Sequence, residues 1–244
     1  MTLRLFSHFI ADANHLHYSH LMHIPDGFID IPTASAFGLL AVAGTAVALK
    51  RAKSEVDDRT APMAGLTAVF IFAVQMLNFP VAAGTSGHLL GGALAMVLVG
   101  PYAASLAVTV VLGVQALLFA DGGLTALGLN VFNMSIIGVL ASFLVFKGAV
   151  KILPKSKSAI PLAAGIAAFA SVPISATAFT LQYAIGGIGT APVSTVFTAM
   201  FTTHVLIGIG EAVITMLTVS AILASRSDLV YGWSKKEVTL EVRS

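Results

Sequence analysis

Residues Thr60 to Ala120 read TAPMAGLTAVFIFAVQMLNFPVAAGTSGHLLGGALAMVLVGPYAASLAVTVVLGVQALLFA, a stretch without any Asp, Glu, Lys or Arg. A helix that crosses a bilayer needs about 20 apolar residues, so this stretch is long enough for more than one span. Three further charge-free stretches flank it, at Ile31–Leu49, Gly122–Phe146 and Ser158–Gly210. The sequence therefore predicts an all-α, polytopic membrane bundle.

The composition agrees with this prediction. Of the 244 residues, 57% are hydrophobic and 10% are charged, whereas a soluble domain carries about 25% charged residues. The chain has no cysteine, which excludes a disulfide framework and a thiolate metal site. The formal net charge of +2 is too small to suggest nucleic acid as a partner. We expect the lipid bilayer to surround most of the protein and no soluble domain of any size.

The charge-free stretches divide into seven predicted helices. They are Thr33–Leu49, Pro62–Phe79, His88–Val99, Pro101–Phe119, Val131–Val150, Ile160–Ile185 and Ser194–Ala224. The third is short and ends at Gly100-Pro101, so it could also join the fourth as one kinked helix, which would give six spans.

The basic residues predict the orientation. Of the 13 Lys and Arg residues, four lie in each of Lys50–Arg59, Lys147–Lys157 and Arg226–Arg243. The positive-inside rule makes these segments cytoplasmic, which requires seven spans, an outer N-terminus and a cytoplasmic C-terminus in the cell's inner (cytoplasmic) membrane. We accordingly divide the chain into an N-terminal extension (1–21), a membrane domain (22–225) and a cytoplasmic tail (226–244).

Unusual residues lie in the segments on the predicted outer side. These segments are Met22–Phe28 (MHIPDGF), Gly84–Gly92 (GTSGHLLGG) and Leu127–Met134 (LGLNVFNM). The first two place His23 and His88 on the same side of the membrane. Imidazole is a borderline ligand that suits nickel, copper, zinc and cobalt.

Taken singly, these residues also have structural interpretations. The two histidines could be ordinary interfacial residues. Asn130 and Asn133 could cap a helix, and the glycines could let helices pack closely.

A fourth motif lies inside the last predicted helix, from His204 to Thr215 (HVLIGIGEAVIT). His204 and Glu211 stand two helical turns apart, on one face. Ionisable groups at membrane depth are costly and usually face the bundle interior. Glu211 could serve the function directly or could be a structural residue bonded to backbone groups.

Together, in this order, the four motifs resemble the substrate-binding membrane subunit (the S component, of CbiM and NikM type) of the cobalt and nickel energy-coupling-factor transporters. The resemblance runs from Met22 to about Ser225. It implies that the metal is held by the free amine of Met22, by the amide nitrogen and imidazole of His23, and by the imidazole of His88. A supporting shell would comprise Ser86, Asn130, Asn133, His204 and Glu211.

The resemblance also implies the transport cycle. Such a subunit captures Co²⁺ or Ni²⁺ at the outer face as a transported substrate, for example for cobalamin biosynthesis, and needs no catalytic cofactor. A transmembrane coupling subunit and two ATP-binding subunits drive release, and a small accessory membrane subunit is a further candidate partner. The chain itself has no G-x-x-x-x-G-K-[ST] phosphate loop, so we expect a transporter subunit and not an enzyme. The coupling subunit could dock on the cytoplasmic loops or on the small-residue face of the first helix, at Ala34, Gly38, Gly44 and Ala48.

One feature departs from the family pattern. Twenty-one residues precede Met22, and a free amine cannot exist there while they are attached. The start could be mis-assigned, the segment could be removed, or it could persist as a loose metal-gathering tail through His8, His15, His17 and His20. We favour the first explanation and expect the working protein to begin at Met22.

An alternative function is that of a rhomboid-like intramembrane serine protease. Gly84-Thr85-Ser86-Gly87 also looks like the Gly-x-Ser-Gly of those enzymes, with Ser86 as nucleophile and His204 as its base. That motif is short, and it leaves MHIPDGF and the Gly-Glu-Ala segment unexplained.

Overall fold

The structure is a computed structural model that describes residues 23–54, 56, 60–76, 79–82 and 85–233, with the backbone alone at 60, 79–82 and 85–87. Long apolar segments become helices because a helix satisfies its own backbone hydrogen bonds, which lipid cannot do. Besides the helical residues 231–233, the described ranges contain seven helices. They are α1 (Ile31–Ala52), α2 (Thr60–Gln75), α3 (Gly92–Val99), α4 (Pro101–Leu118), α5 (Leu127–Ile152), α6 (Ala159–Gly186) and α7 (Val193–Ser225).

Two short strands, one π-helical segment and one 3₁₀ turn also lie in the described part of the chain. Strands β1 (Phe79–Ala82) and β2 (Thr85–Gly87) pair antiparallel between α2 and α3. Within α5, residues Val131–Gly138 form a π-helical segment. A 3₁₀ turn at Ser227–Leu229 follows α7.

The predicted helices correspond to the observed ones, with two corrections. The second helix was expected to reach Phe79, but it ends at Gln75 and Phe79 begins β1. The third was expected to begin at His88, but α3 begins at Gly92 because Gly91 has φ +76° and breaks the helical path. Gly100, with φ +88° and ψ 160°, separates α3 from α4, so the two are not one kinked helix.

Five of the helices are long and apolar enough to cross a membrane, namely α1, α4, α5, α6 and α7. Helix α2 is apolar but shorter. Helix α3 has eight residues, all of them buried, and at about 12 Å it cannot cross a hydrocarbon core of about 30 Å. The all-α, multi-pass membrane architecture is confirmed, while the seven-span count and the orientation stay predictions.

Small residues set the helix packing. A methyl group at Gly128 of α5 would lie 2.5 Å from the Cα of Gly38 in α1, and one at Gly44 would lie 2.8 Å from the Ile136 side chain. Ala34 and Ala48 of α1 are buried as well. Part of the small-residue face of α1 therefore packs against α5, whereas Gly38 and Gly44 stay half-buried and a methyl group at Gly38 would meet nothing within 4 Å. Docking of a coupling subunit on this face stays a prediction.

Candidate metal centre

The segment from His23 to Asp30, which we call the N-terminal segment, is held by the loop and helix that follow α4. The side chain of Asn130 forms hydrogen bonds with both polar backbone groups of Ile24. The Ile24 N–H donates to Asn130 Oδ1 at 3.0 Å, and the Ile24 carbonyl accepts from Asn130 Nδ2 at 3.2 Å. The Gly123 N–H donates to the same carbonyl at 2.9 Å. The backbone next to His23 is thereby fixed.

Asp26 provides a second anchor on that loop. Its Oδ1 accepts from the Thr125 hydroxyl at 2.5 Å and from the Thr125 N–H at 2.7 Å. These bonds stabilise the carboxylate, and the Thr125 hydroxyl contributes most to lowering the pKa of Asp26 below its ordinary value.

The other end of the segment is tied to the α6–α7 loop. The Asp30 N–H donates to the Gly186 carbonyl at 2.7 Å, and the Ile188 N–H donates to the Phe28 carbonyl at 3.2 Å. Asp30 also caps α1, because its Oδ1 accepts from the Thr33 N–H at 2.8 Å. The segment therefore bridges two loops at one end of the bundle.

This anchoring brings His23 against His88. The two ring centroids lie 4.9 Å apart and the planes meet at 83°. Each residue is 8% exposed. Burial and, to a smaller extent, the neighbouring His88 lower the pKa of His23 to about 3. The hydrogen bond to Gln115 acts in the opposite direction and raises this pKa. His23 is thus neutral at physiological pH, which is the form that binds a metal ion.

His88 has its own fixed orientation. Its Nδ1 lies 3.0 Å from the Leu89 carbonyl oxygen. A carbonyl can only accept, so Nδ1 donates, and in the neutral ring the lone pair lies on Nε2.

The backbone that follows His88 is clamped from two helices. Glu211 of α7 accepts from the Leu90 N–H at 2.6 Å and from the Gly91 N–H at 3.0 Å. Gln75 of α2 donates to the Leu90 carbonyl at 2.7 Å. The carboxylate lies at the N-terminus of α3, where the helix dipole favours negative charge. Glu211 is therefore bonded to backbone groups, which is the structural one of the two roles considered for it from the sequence.

Two residues beside His23 were missed by the sequence analysis. Gln115 Oε1 lies 3.0 Å from His23 Nε2, and Asp121 Oδ2 lies 3.7 Å from the same nitrogen. The available signals were a lone glutamine inside an apolar helix and the single charge that separates two charge-free stretches.

Similarity to known proteins shows which family the chain belongs to. The model of the family described as the cobalt uptake substrate-specific transmembrane region matches residues 23–229. The chain belongs to this family. It is 40% identical to the "Putative fused nickel transport protein NikMN" of Archaeoglobus fulgidus over 215 residues, which is 86% of this chain and 68% of that protein.

Other members of the cobalt uptake family agree. The chain is 30% identical to the cobalt transport protein CbiM of Clostridioides difficile over 207 residues, 84% of this chain and 83% of that protein. A crystal structure of a truncated transition metal transporter matches with a TM-score of 0.71 and 30% identity, covering 83% of this chain and 99% of the other. The resemblance inferred from the four motifs is confirmed.

The remaining residues expected in a site of this family are placed as follows. Met22 and the side chain of Ser86 lie outside the described part of the chain. The side chain of Asn133 forms two hydrogen bonds with the side chain of Gln182 in α6, at 2.8 and 2.9 Å, instead of bonding to the histidines. His204 Nδ1 donates to the Met200 carbonyl at 2.7 Å. Among the described residues there is no group of three or more His, Asp or Glu side chains that could hold a metal.

The protease interpretation gains no support. The family and the relatives quoted above are named for metal uptake or transport. One ring nitrogen of His204, the proposed base, is engaged with its own helix.

Proposed function

We propose that this protein is the ion-capturing subunit of an ATP-driven importer for Co²⁺ or Ni²⁺. The observation that supports this most directly is the pair of buried imidazoles, His23 and His88, packed edge to face at 4.9 Å in a chain of the cobalt uptake family. The nickel in the name of the Archaeoglobus relative and the cobalt in the family's description both suit imidazole ligands.

The proposed ligand set contains four nitrogens. The amine of Met22, the amide nitrogen of His23 and the His23 imidazole form two fused chelate rings around one ion. The His88 imidazole is the fourth ligand. A planar set of four nitrogens suits Ni(II) in particular, and each ligand must lose or lack its proton to bind.

Energy coupling is assigned to other chains in this proposal. A transmembrane coupling subunit and two ATP-binding subunits would drive release to the cytoplasm, with a small accessory membrane subunit as a further candidate. Because Ala34 and Ala48 on the small-residue face of α1 are buried, we propose that the coupling subunit docks mainly on the segments that carry the basic clusters, at 50–59 and 147–157.

The ligand assignment is tested by substitution in a protein that starts at Met22. His23→Ala and His88→Ala should each abolish binding of Ni²⁺ and Co²⁺, measured by calorimetry and by metal analysis of the purified protein. In the separate 244-residue chain, replacing His8, His15, His17 and His20 together should leave that form's own metal binding unchanged. Full metal binding by the His88→Ala variant would refute the assignment.

The amine ligand is tested by the state of the N-terminus. A protein that starts at Met22 has a free amine with an ordinary pKa of about 7.7–8.0, and it should bind one ion per chain. Acetylating that amine, or extending it to the 244-residue form, converts it to an amide and should weaken binding strongly. Mass spectrometry of each form identifies its N-terminus, and equal affinity with Met1 intact would contradict the amine mechanism.

A further inference from the structure

Gln115 is a buried polar residue of α4, with no exposed surface. Its side chain has two contacts: Oε1 lies 3.0 Å from His23 Nε2, and Nε2 lies 3.9 Å from Met76 Sδ. Burying an amide without hydrogen bonds costs free energy, so these two contacts decide which way the amide points.

The contacts favour one orientation of the amide. With its NH₂ group toward Met76, the amide donates to a sulfur that can act as a weak acceptor. The reverse orientation would place two acceptors, Oε1 and the sulfur, against each other. Oε1 therefore faces His23, and because a carbonyl oxygen only accepts, His23 Nε2 must be the donor.

A carboxylate oxygen lies near the same ring nitrogen, beyond hydrogen-bond distance. Asp121 Oδ2 lies 3.7 Å from His23 Nε2. The turn after α4 brings this carboxylate back toward the ring, since the N–H groups of Phe119 and Asp121 both donate to the Gln115 carbonyl at 3.1 Å. Two oxygens from one stretch of chain thus surround the same ring nitrogen.

The consequence concerns the other nitrogen of the ring. A neutral imidazole carries one N–H and one lone pair, so a proton on Nε2 leaves the lone pair on Nδ1. Nδ1 is also the nitrogen that can close a six-membered chelate ring with the backbone nitrogen of its own residue. We propose that Gln115 is a positioning residue for the metal site, which holds His23 with its proton on Nε2 and presents Nδ1 to the ion. This role in metal binding rests on the function proposed above.

The test measures the tautomer directly. A protein that starts at Met22 keeps three histidines, His23, His88 and His204, so ¹⁵N-histidine labelling gives a spectrum simple enough to assign with His23→Gln. In the metal-free protein, long-range ¹H–¹⁵N correlations should show His23 as the Nε2–H tautomer. Gln115→Leu should give a mixture of tautomers and lower the Ni²⁺ affinity by about 10–100-fold, as for the loss of other partners of metal-binding histidines.

The matched control is Gln182→Leu. Gln182 is a fully buried glutamine too, but its side chain is bonded to Asn133. Replacing it removes a comparable buried amide, so it should cost stability while leaving the His23 tautomer and the Ni²⁺ affinity as in the parent protein.

Three outcomes are decisive. A parent protein with its His23 proton on Nδ1 would overturn the proposal, even if Gln115→Leu failed to fold. Equal loss of Ni²⁺ affinity in Gln115→Leu and Gln182→Leu would also overturn it, because the effect would then be general destabilisation. If the parent protein bound neither Ni²⁺ nor Co²⁺, the proposed function would fail, while the tautomer of the metal-free protein would still decide whether Gln115 orients His23.

Discussion

Gly122 permits the close approach of His23 to the loop after α4. Its φ is +90°, and a methyl group there would lie 2.8 Å from His23 Cβ and 3.2 Å from Asn130 Nδ2. A side chain at position 122 would therefore introduce backbone strain and a clash with His23, and both would destabilise the docked N-terminal segment.

We therefore predict that Gly122→Ala weakens metal binding. Backbone strain at such a position costs about 1–3 kcal/mol, which is about 5–150-fold in affinity if all of it falls on the docked state. Gly113→Ala is the matched control, since that glycine of α4 has open space around it. Calorimetry with Ni²⁺ on both variants makes the comparison, and equal affinities would show that the loop accommodates the methyl group.

The neutral state of His23 predicts how docking depends on pH. Its pKa is lowered to about 3 in the docked segment, against about 6.5 for a solvated histidine. Between these pH values the detached segment takes up a proton that the docked one does not, so docking is fully favoured above about pH 6.5 and weakens as the pH falls.

In the metal-free protein, we expect hydrogen exchange at the Ile24 amide to accelerate on acidification from about pH 7 to about pH 5, after correction for the intrinsic rate. A His23→Gln variant should lack this additional pH dependence. If it kept the dependence in full, another titrating group would be responsible.

At the scale of elements, α3 depends on a carboxylate from another helix for its beginning. Glu211 accepts the N–H groups of Leu90 and Gly91, two and three residues after His88. A hydrogen bond contributes about 0.5–1.5 kcal/mol net, so these two bonds stabilise both the helix start and the loop that carries the histidine.

We predict that Glu211→Ala lowers the thermal stability and exposes the Leu90 and Gly91 amides to hydrogen exchange. Ni²⁺ affinity should fall as well, because His88 would lose its fixed backbone. The control is Thr202→Ala on the exposed side of α7, where the hydroxyl donates to the Thr198 and Ala199 carbonyls of its own helix. Unchanged exchange at Leu90 in Glu211→Ala would show that α3 holds its own N-terminus.

The helices could be predicted from the sequence because lipid excludes charge, and the uncharged stretches therefore coincide with helices. The end of α2 and the start of α3 could not be predicted in this way. The absence of charge between Thr60 and Ala120 does not mark where one helix ends and the next begins. The start of α3 is set by the left-handed backbone of Gly91 together with Glu211, which lies 120 residues later in the chain.

The candidate site was partly predictable for a related reason. His23 and His88 stand in recognisable motifs, whereas Gln115 lies among apolar residues with no motif around it. Its contact with His23 spans 92 residues and depends on how α4 packs. Asn133 was expected near the site from its motif, yet its position in the π-helical part of α5 directs it to Gln182.

At the scale of the whole molecule, orientation is the prediction to test. Ser54 and Lys155 are exposed, in the loops beside the basic clusters, and Thr190 is exposed in the α6–α7 loop that holds the N-terminal segment. Because the chain has no cysteine, single cysteines can be introduced without background.

In intact cells, an impermeant thiol reagent should label Thr190→Cys and should spare Ser54→Cys and Lys155→Cys, which react only after permeabilisation. These loops carry the four-residue basic clusters that favour the cytoplasm. Labelling of either cytoplasmic position from outside would reverse the topology.

The bridging position of the N-terminal segment has a consequence for biosynthesis. The segment is synthesised before its partners: His23 contacts Gln115 at a separation of 92 residues, and the Asp30 N–H needs the Gly186 carbonyl at the end of α6. On the ribosome the earliest residues must wait until most of the bundle has been inserted before they find their partners. A nascent or prematurely terminated chain therefore lacks the docking loops, so under the proposed function it should bind no ion until α6 is complete.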